Sequence, residues 1–66
     1  MHIILNGEPR EIPNDCTAGQ LLEVLELGGK RVAMELNLDI LPRGEFDSQT
    51  LKEGDRVEIV HAIGGG

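Results

Sequence analysis

His2-Ile3-Ile4-Leu5-Asn6-Gly7-Glu8-Pro9-Arg10-Glu11-Ile12 reads as a β-hairpin, and the fold follows from it. His2 to Asn6 is a short run of aliphatic and β-branched residues of the kind that packs on a pleated surface. Asn6-Gly7 is the pair best suited to the positive φ angles of a tight hairpin turn. Glu8 to Ile12 then returns as a second strand. Pro9 assigns that strand to a sheet edge or an irregular start, because proline cannot donate to a ladder.

Beyond the hairpin, Pro13-Asn14-Asp15-Cys16 is a loop, and Thr17-Ala18-Gly19-Gln20 is a capping box. Thr17 accepts from first-turn amides while Gln20 reaches back to the N–H of the cap residue. Leu21, Leu22, Val24 and Leu25 supply the apolar stripe of the helix, with Glu23 and Glu26 outward. Gly28-Gly29 is expected to end the helix, since glycine accepts a left-handed C-cap. Gly19 in the first turn is a weakness of up to ~1 kcal/mol against Ala.

Arg31 to Asn37 reads as a third strand with Val32, Met34 and Leu36 on one face and Arg31, Ala33 and Glu35 on the other. Asn37-Leu38-Asp39 is a turn, Ile40-Leu41 a short strand, and Pro42 a break. Residues 44–49 are polar apart from Phe46 and form a loop with a helical turn. Gly54 turns the chain into the last strand, Arg56 to Ile63. One helix with one apolar stripe covers one face of a small mixed sheet, an α+β roll. Residues 1–63 are read as a single domain and 64–66 as a flexible Gly-Gly-Gly tail.

At 66 residues the chain is near the lower limit for folding unaided. Phe46 is its one aromatic residue, so the core must be aliphatic. Little volume remains for a cofactor cavity or a buried catalytic constellation, which argues against an ordinary enzyme and for no bound cofactor. The single cysteine, Cys16, excludes an intramolecular disulfide and any multi-cysteine metal site. Neither a secretory signal nor an apolar run approaching the ~20 residues of a membrane span is present. The expected location is the cytoplasm. Net charge is −6, from twelve acidic and six basic residues, so no basic patch is available for nucleic acid.

The chain ends Ile63-Gly64-Gly65-Gly66. Three glycines are costly to order and add nothing to packing, but they are slim enough to enter a narrow channel. Extended, they carry the α-carboxylate of Gly66 roughly 10 Å past the last anchored residue. A functional tip and an incidental tail are both open on this feature alone.

The whole chain resembles the ubiquitin-like β-grasp proteins and, among them, the ThiS family of sulfur carriers in thiamine (thiazole) biosynthesis. The resemblance rests on Ile4-Leu5-Asn6-Gly7-Glu8, on Thr17 leading into Leu21-Leu22, and on Val32-Ala33-Met34-Glu35-Leu36-Asn37. Ile40-Leu41-Pro42-Arg43, Gly54-Asp55-Arg56-Val57-Glu58-Ile59 and the Ile63-Gly64-Gly65-Gly66 ending complete it. Ala18-Gly19 departs from the pattern, where the family more often has a better helix former. The resemblance implies that a ThiF-like, E1-like partner uses ATP and magnesium to adenylate Gly66. Sulfur from a cysteine desulfurase then replaces AMP to leave a thiocarboxylate, and thiazole synthase (ThiG) takes that sulfur. On this reading Gly66 is a modified substrate position, Gly64 and Gly65 keep its path slim, and the chain is a carrier and not an enzyme. With nothing following Gly66, no maturation protease is expected.

Two rivals belong beside it. A MoaD-like small subunit of molybdopterin synthase uses the same tail chemistry, although such chains are usually longer and open differently. The Asn6-Gly7-Glu8 turn favours the thiamine branch. A ubiquitin-like modifier or pure binding module is the rival of another class.

In the final strand, burial of Val57 and Ile59 would leave Val60 and Ala62, with Ile63 beyond, as an apolar patch for partner docking. Closure of another sheet layer or a homodimer would explain the patch equally. His61 and His2 have no second ligand or base at suitable spacing and read as surface or packing residues. Cys16 precedes a helix cap, a setting that can lower a thiol pKa, yet it reads as incidental. Arg43 is a partner contact or a solvated turn residue.

Overall fold

Asn6 and Gly7 have φ angles of 50° and 86°, the pair of positive values a two-residue hairpin turn demands. They join β1 (His2–Leu5) to β2 (Glu8–Glu11) in antiparallel register, with Leu5 opposite Glu8 and His2 opposite Glu11. The structure is a computed structural model and describes residues 1–61. The remaining elements are α1 (Ala18–Val24), β3 (Val32–Leu36), β4 (Asp39–Leu41), a 3-10 turn at Arg43–Glu45 and β5 (Arg56–His61). The strands form one mixed sheet in the order β2-β1-β5-β3-β4. The strand containing Pro9 is therefore an edge strand, where a missing N–H goes unnoticed.

β5 is the central strand. It runs parallel to β1, with Leu5 beside Val57, and antiparallel to β3, with Met34 opposite Ile59. Ile3, Leu21, Met34, Leu51 and Val57 are fully buried, and every buried side chain among the described residues is apolar. The helix contributes Ala18, Leu21 and Leu22 to this cluster, with Leu25 and Leu27 at its margin.

The start of α1 matches the sequence expectation in detail. Thr17 Oγ1 accepts from the Gln20 N–H at 3.1 Å, and Gln20 Oε1 accepts from the Thr17 N–H at 2.9 Å. The two remaining orphan amides of the helix start are met from across the chain. The Ala18 N–H donates to Gln49 O and the Gly19 N–H to Phe46 O, each at 2.9 Å. Loop 46–49 thus sits on the first turn, and a Cβ at position 19 would collide with the Asp47 carboxylate. Gly19, a weakness by propensity, leaves the Asp47 carboxylate room to lie against the first turn.

Two expectations for the helix are corrected. First, Gly28-Gly29 does not end it. The helix stops at Val24 with Leu25 as C-cap, and Glu26 takes the left-handed conformation at φ 61°. The Leu27 N–H donates to Leu22 O and the Glu26 N–H to Glu23 O, the paired bonds of a Schellman motif. Half-buried Leu27 packs against the core, and that contact selects this stopping point ahead of the glycines. Second, Val24 is 45 % exposed. The stripe that faces the core is buried Ala18, Leu21 and Leu22 with half-buried Leu25, an i, i+3, i+4, i+7 set that puts Val24 on the far side. Glu26→Gly is expected to stabilise the protein by about 0.5–1 kcal/mol, because a non-glycine residue at C′ is strained. A urea midpoint that rises with an unchanged slope confirms it; a lower midpoint refutes it.

Candidate functional site

Alternation along β5 divides its side chains cleanly. Val57 and Ile59 enter the core, while Glu58 and Val60 face outward. Val60 is 61 % exposed and lies directly opposite Ala33 of β3, which is also exposed. The docking expectation for Val60 thus falls on an open sheet face, whereas Ala62 and Ile63 lie outside the described residues. Gly64, Gly65 and Gly66 lie outside them as well. What is described is the platform from which β5 runs on, in sequence, toward the glycines.

The position of β5 is secured at its inner side by one side chain. β1 turns away at Asn6, which would leave the next amide of β5 without a strand partner. The Asn6 N–H donates to Val57 O at 2.9 Å, and Asn6 Oδ1 accepts from the Ile59 N–H at 2.8 Å. A turn residue thus continues the ladder with its amide side chain. Asn37 does the same on the β3 side of the strand, bonding by its N–H to Arg56 O and by Oδ1 to the Arg56 N–H.

The outward face of β3, β4 and β5 carries features that a reading of single residues missed. Ile40 is 78 % exposed and pairs across β4–β3 with Glu35. Glu35 in turn lies directly opposite Glu58 of β5, and both are exposed. Ile40 next to Leu41 was the available signal, since two successive strand residues cannot both face the core. The opposition of the two glutamates depends on register and had none.

The other candidates are dispersed. His61 is exposed at the end of β5, opposite Val32, and His2 is exposed at the start of β1, its N–H donating to Glu53 Oε1 at 2.8 Å. Cys16 is buried, and its thiol donates to Thr17 O at 3.4 Å. Burial pushes the thiol pKa up, so desolvation outweighs any lowering by the nearby helix start. Arg43 is exposed and lines a shallow cleft of about 250 Å³ that also includes Lys30, Glu23 and Asp47. Among the described residues no group of three or more His, Cys, Asp or Glu is placed to hold a metal ion. No helix among them is long and apolar enough to cross a membrane.

A five-stranded mixed sheet in this order, with one helix packed on one face, is a ubiquitin-like β-grasp domain. The ThiS family model matches residues 3–66, and the chain belongs to that family. The crystal structure of a thiamine biosynthesis protein (ThiS) from Geobacter metallireducens superposes with a TM-score of 0.86 at 35% identity, covering all of both chains. The sulfur carrier protein ThiS of Escherichia coli is 27% identical over 66 residues, the full length of both. A thiazole synthase from Paramagnetospirillum magneticum is 38% identical over 66 residues, all of this chain but 20% of that protein. The chain therefore spans about a fifth of the length of the thiazole synthases it matches.

Proposed function

We propose that this protein is a sulfur carrier of thiamine biosynthesis whose working group is the C-terminal carboxylate of Gly66. The observation that carries the reading is the extent of the family match, which runs to residue 66 and so includes the glycine end. A carboxylate is a poor acyl electrophile, so it needs activation before sulfur can be installed. A ThiF-like adenylating enzyme joins it to the α-phosphorus of magnesium-bound ATP, releasing pyrophosphate. Persulfide sulfur from a cysteine desulfurase attacks the acyl carbon and displaces AMP, and a thiol reductant then cleaves the resulting acyl disulfide to leave a terminal thiocarboxylate. Thiazole synthase (ThiG) takes the sulfur and returns the carboxylate. The relatives named as thiazole synthases, which contain a segment like this chain, support that acceptor and favour the thiazole branch over the molybdopterin one.

In this scheme the chain is a protein substrate and not a catalyst, acting in the cytoplasm where ATP and reduced thiols are at hand. Among the described residues the helix and sheet close on one apolar cluster, a packed handle for a partner to grip. Gly64 and Gly65 offer no Cβ to obstruct a channel leading to the partner's nucleotide. Val60, with Ala62 and Ile63 following, supplies apolar contact for the partner beside that channel.

Intact mass spectrometry tests the proposal. Incubated with ATP, magnesium, the adenylating enzyme and a sulfur donor, the protein should gain the mass difference of one sulfur replacing one oxygen. An unmodified terminus, or adducts to lysine only, would overturn it and favour a binding module or a modifier.

A further inference from the structure

An acyl adenylate is open to attack by amines as well as by sulfur, so the amines within reach of Gly66 decide what else its activation leads to. Three are present: the α-amino group of Met1 and the side chains of Lys30 and Lys52. Lys30 stands at the end of the sheet from which the sequence runs on to Gly66. It is exposed, two residues before Val32, and Val32 lies directly opposite His61. At ~5 Å across an antiparallel pair and ~3.5 Å per residue along the chain, the Cα atoms of Lys30 and His61 are within about 12 Å. Residues 62–66 span about 17 Å fully stretched, and a glycine-rich segment of that length has an r.m.s. reach of about 12 Å. Reach and span match, the condition for the highest effective concentration, on the order of millimolar. The other two amines sit at the opposite end of β5, a strand about 17 Å long. Lys52 lies before it, across the turn closed by the Asp55 N–H donating to Lys52 O. Met1 adjoins the same turn, because the Gly54 N–H donates to His2 O at 2.8 Å. Its ammonium group is held by Ile12 O at 2.9 Å and Asn14 Oδ1 at 3.0 Å.

We propose that Lys30 is an internal acyl acceptor: adenylated Gly66, released without sulfur, closes onto the Lys30 amine to form an isopeptide-linked ring. The inference rests on the carrier reading, which supplies ATP, magnesium and the adenylating enzyme. The lone pair of Lys30 Nζ attacks the acyl carbon, a C–N bond forms, and the bond from that carbon to the phosphate oxygen breaks. AMP leaves with the electron pair of the broken bond, and the surplus proton on nitrogen passes to water. A channel that holds the tail straight keeps it away from Lys30, so closure follows release. At micromolar protein the internal amine exceeds the lysines of other chains about a thousandfold in effective concentration, so ring closure outruns adducts between chains. The ring has no carboxylate at Gly66 and is not activated again. Sulfur uptake and closure are therefore competing fates of one acyl group, and a shortage of sulfur withdraws the carrier from use.

The test uses the full-length chain with ATP, magnesium and the adenylating enzyme, and omits the sulfur donor. Pyrophosphate release is followed beside intact mass. The parent should lose the mass of one water while staying a monomer, and fragmentation should show Gly66 joined to Lys30. Lys30→Arg keeps the positive charge; it should release pyrophosphate as the parent does but form at least about tenfold less ring. Lys52→Arg should close like the parent. Adding the sulfur donor and a thiol reductant to the parent should suppress the ring in favour of sulfur exchange. Pyrophosphate release without loss of water, closure onto Lys52 or Met1, adducts only between chains, parent-like closure in Lys30→Arg, or a ring yield indifferent to sulfur each overturn the inference and leave the carrier reading standing. If the unaltered protein drives no pyrophosphate release, the carrier reading falls and this inference with it.

Discussion

Leu21→Ala should leave a substantial fraction of this protein unfolded at room temperature. Leu21 is completely buried and joins the helix to Ile3, Met34 and Val57 in one cluster. Truncating a leucine in such a site costs about 2–5 kcal/mol, from lost transfer energy plus the cavity left behind. A single core in a domain of this size rarely supplies more than about 3–5 kcal/mol in total. One truncation therefore removes most of the margin. Urea unfolding followed by circular dichroism should show a folded baseline that is short or missing. A midpoint close to that of the parent would mean that the core is not organised around α1.

Asn6→Ala is the second large effect, and it separates two roles of one residue. The alanine leaves the Ile59 amide without its acceptor, at a cost of about 1–3 kcal/mol for a partly buried N–H. It also places a Cβ-bearing residue without a compensating side chain at φ 50°, at about 1 kcal/mol more. Asn6→Asp keeps the acceptor and the tolerance for this conformation, so it should stay close to the parent. Asn6→Gly relieves the backbone but not the Ile59 amide and should fall between. If alanine and aspartate variants unfold at the same midpoint, the side-chain bond to β5 contributes nothing.

Local chemistry made much of this fold legible. The Asn6-Gly7 turn, the Thr17/Gln20 capping box, the outward Ala33 and Glu35 and the inward Val57 and Ile59 all follow from patterns within a few residues. What stayed hidden depends on distant partners. Nothing near Gly19 announces that loop 46–49 will cap the helix, and nothing near Asn6 announces a bond to Ile59. The helix end was misplaced because two adjacent glycines outweigh one glutamate in any propensity argument. Leu27, packing back on the core, decided the matter instead.

The site divides in the same way. Val60 was legible as an outward apolar residue because β5 alternates. The Glu35–Glu58 pair was not, since it exists only once the register of β3 against β5 is set. The glycine end is legible as chemistry, and the family match runs through it to residue 66.

Cys16 supplies the sharpest contrast for the central claim. If the protein carries sulfur as proposed, its one thiol invites the idea that sulfur travels as a cysteine persulfide. Burial of that thiol, and the upward push on its pKa, leave little reactive thiolate near neutral pH. Fragmentation of the reacted protein in the mass spectrometer decides between the two carriers. The account predicts an oxygen-to-sulfur exchange confined to C-terminal fragments that contain Gly66, with every fragment containing Cys16 but not Gly66 unchanged. Sulfur added to a Cys16 fragment, with no oxygen lost from the terminus, would contradict it.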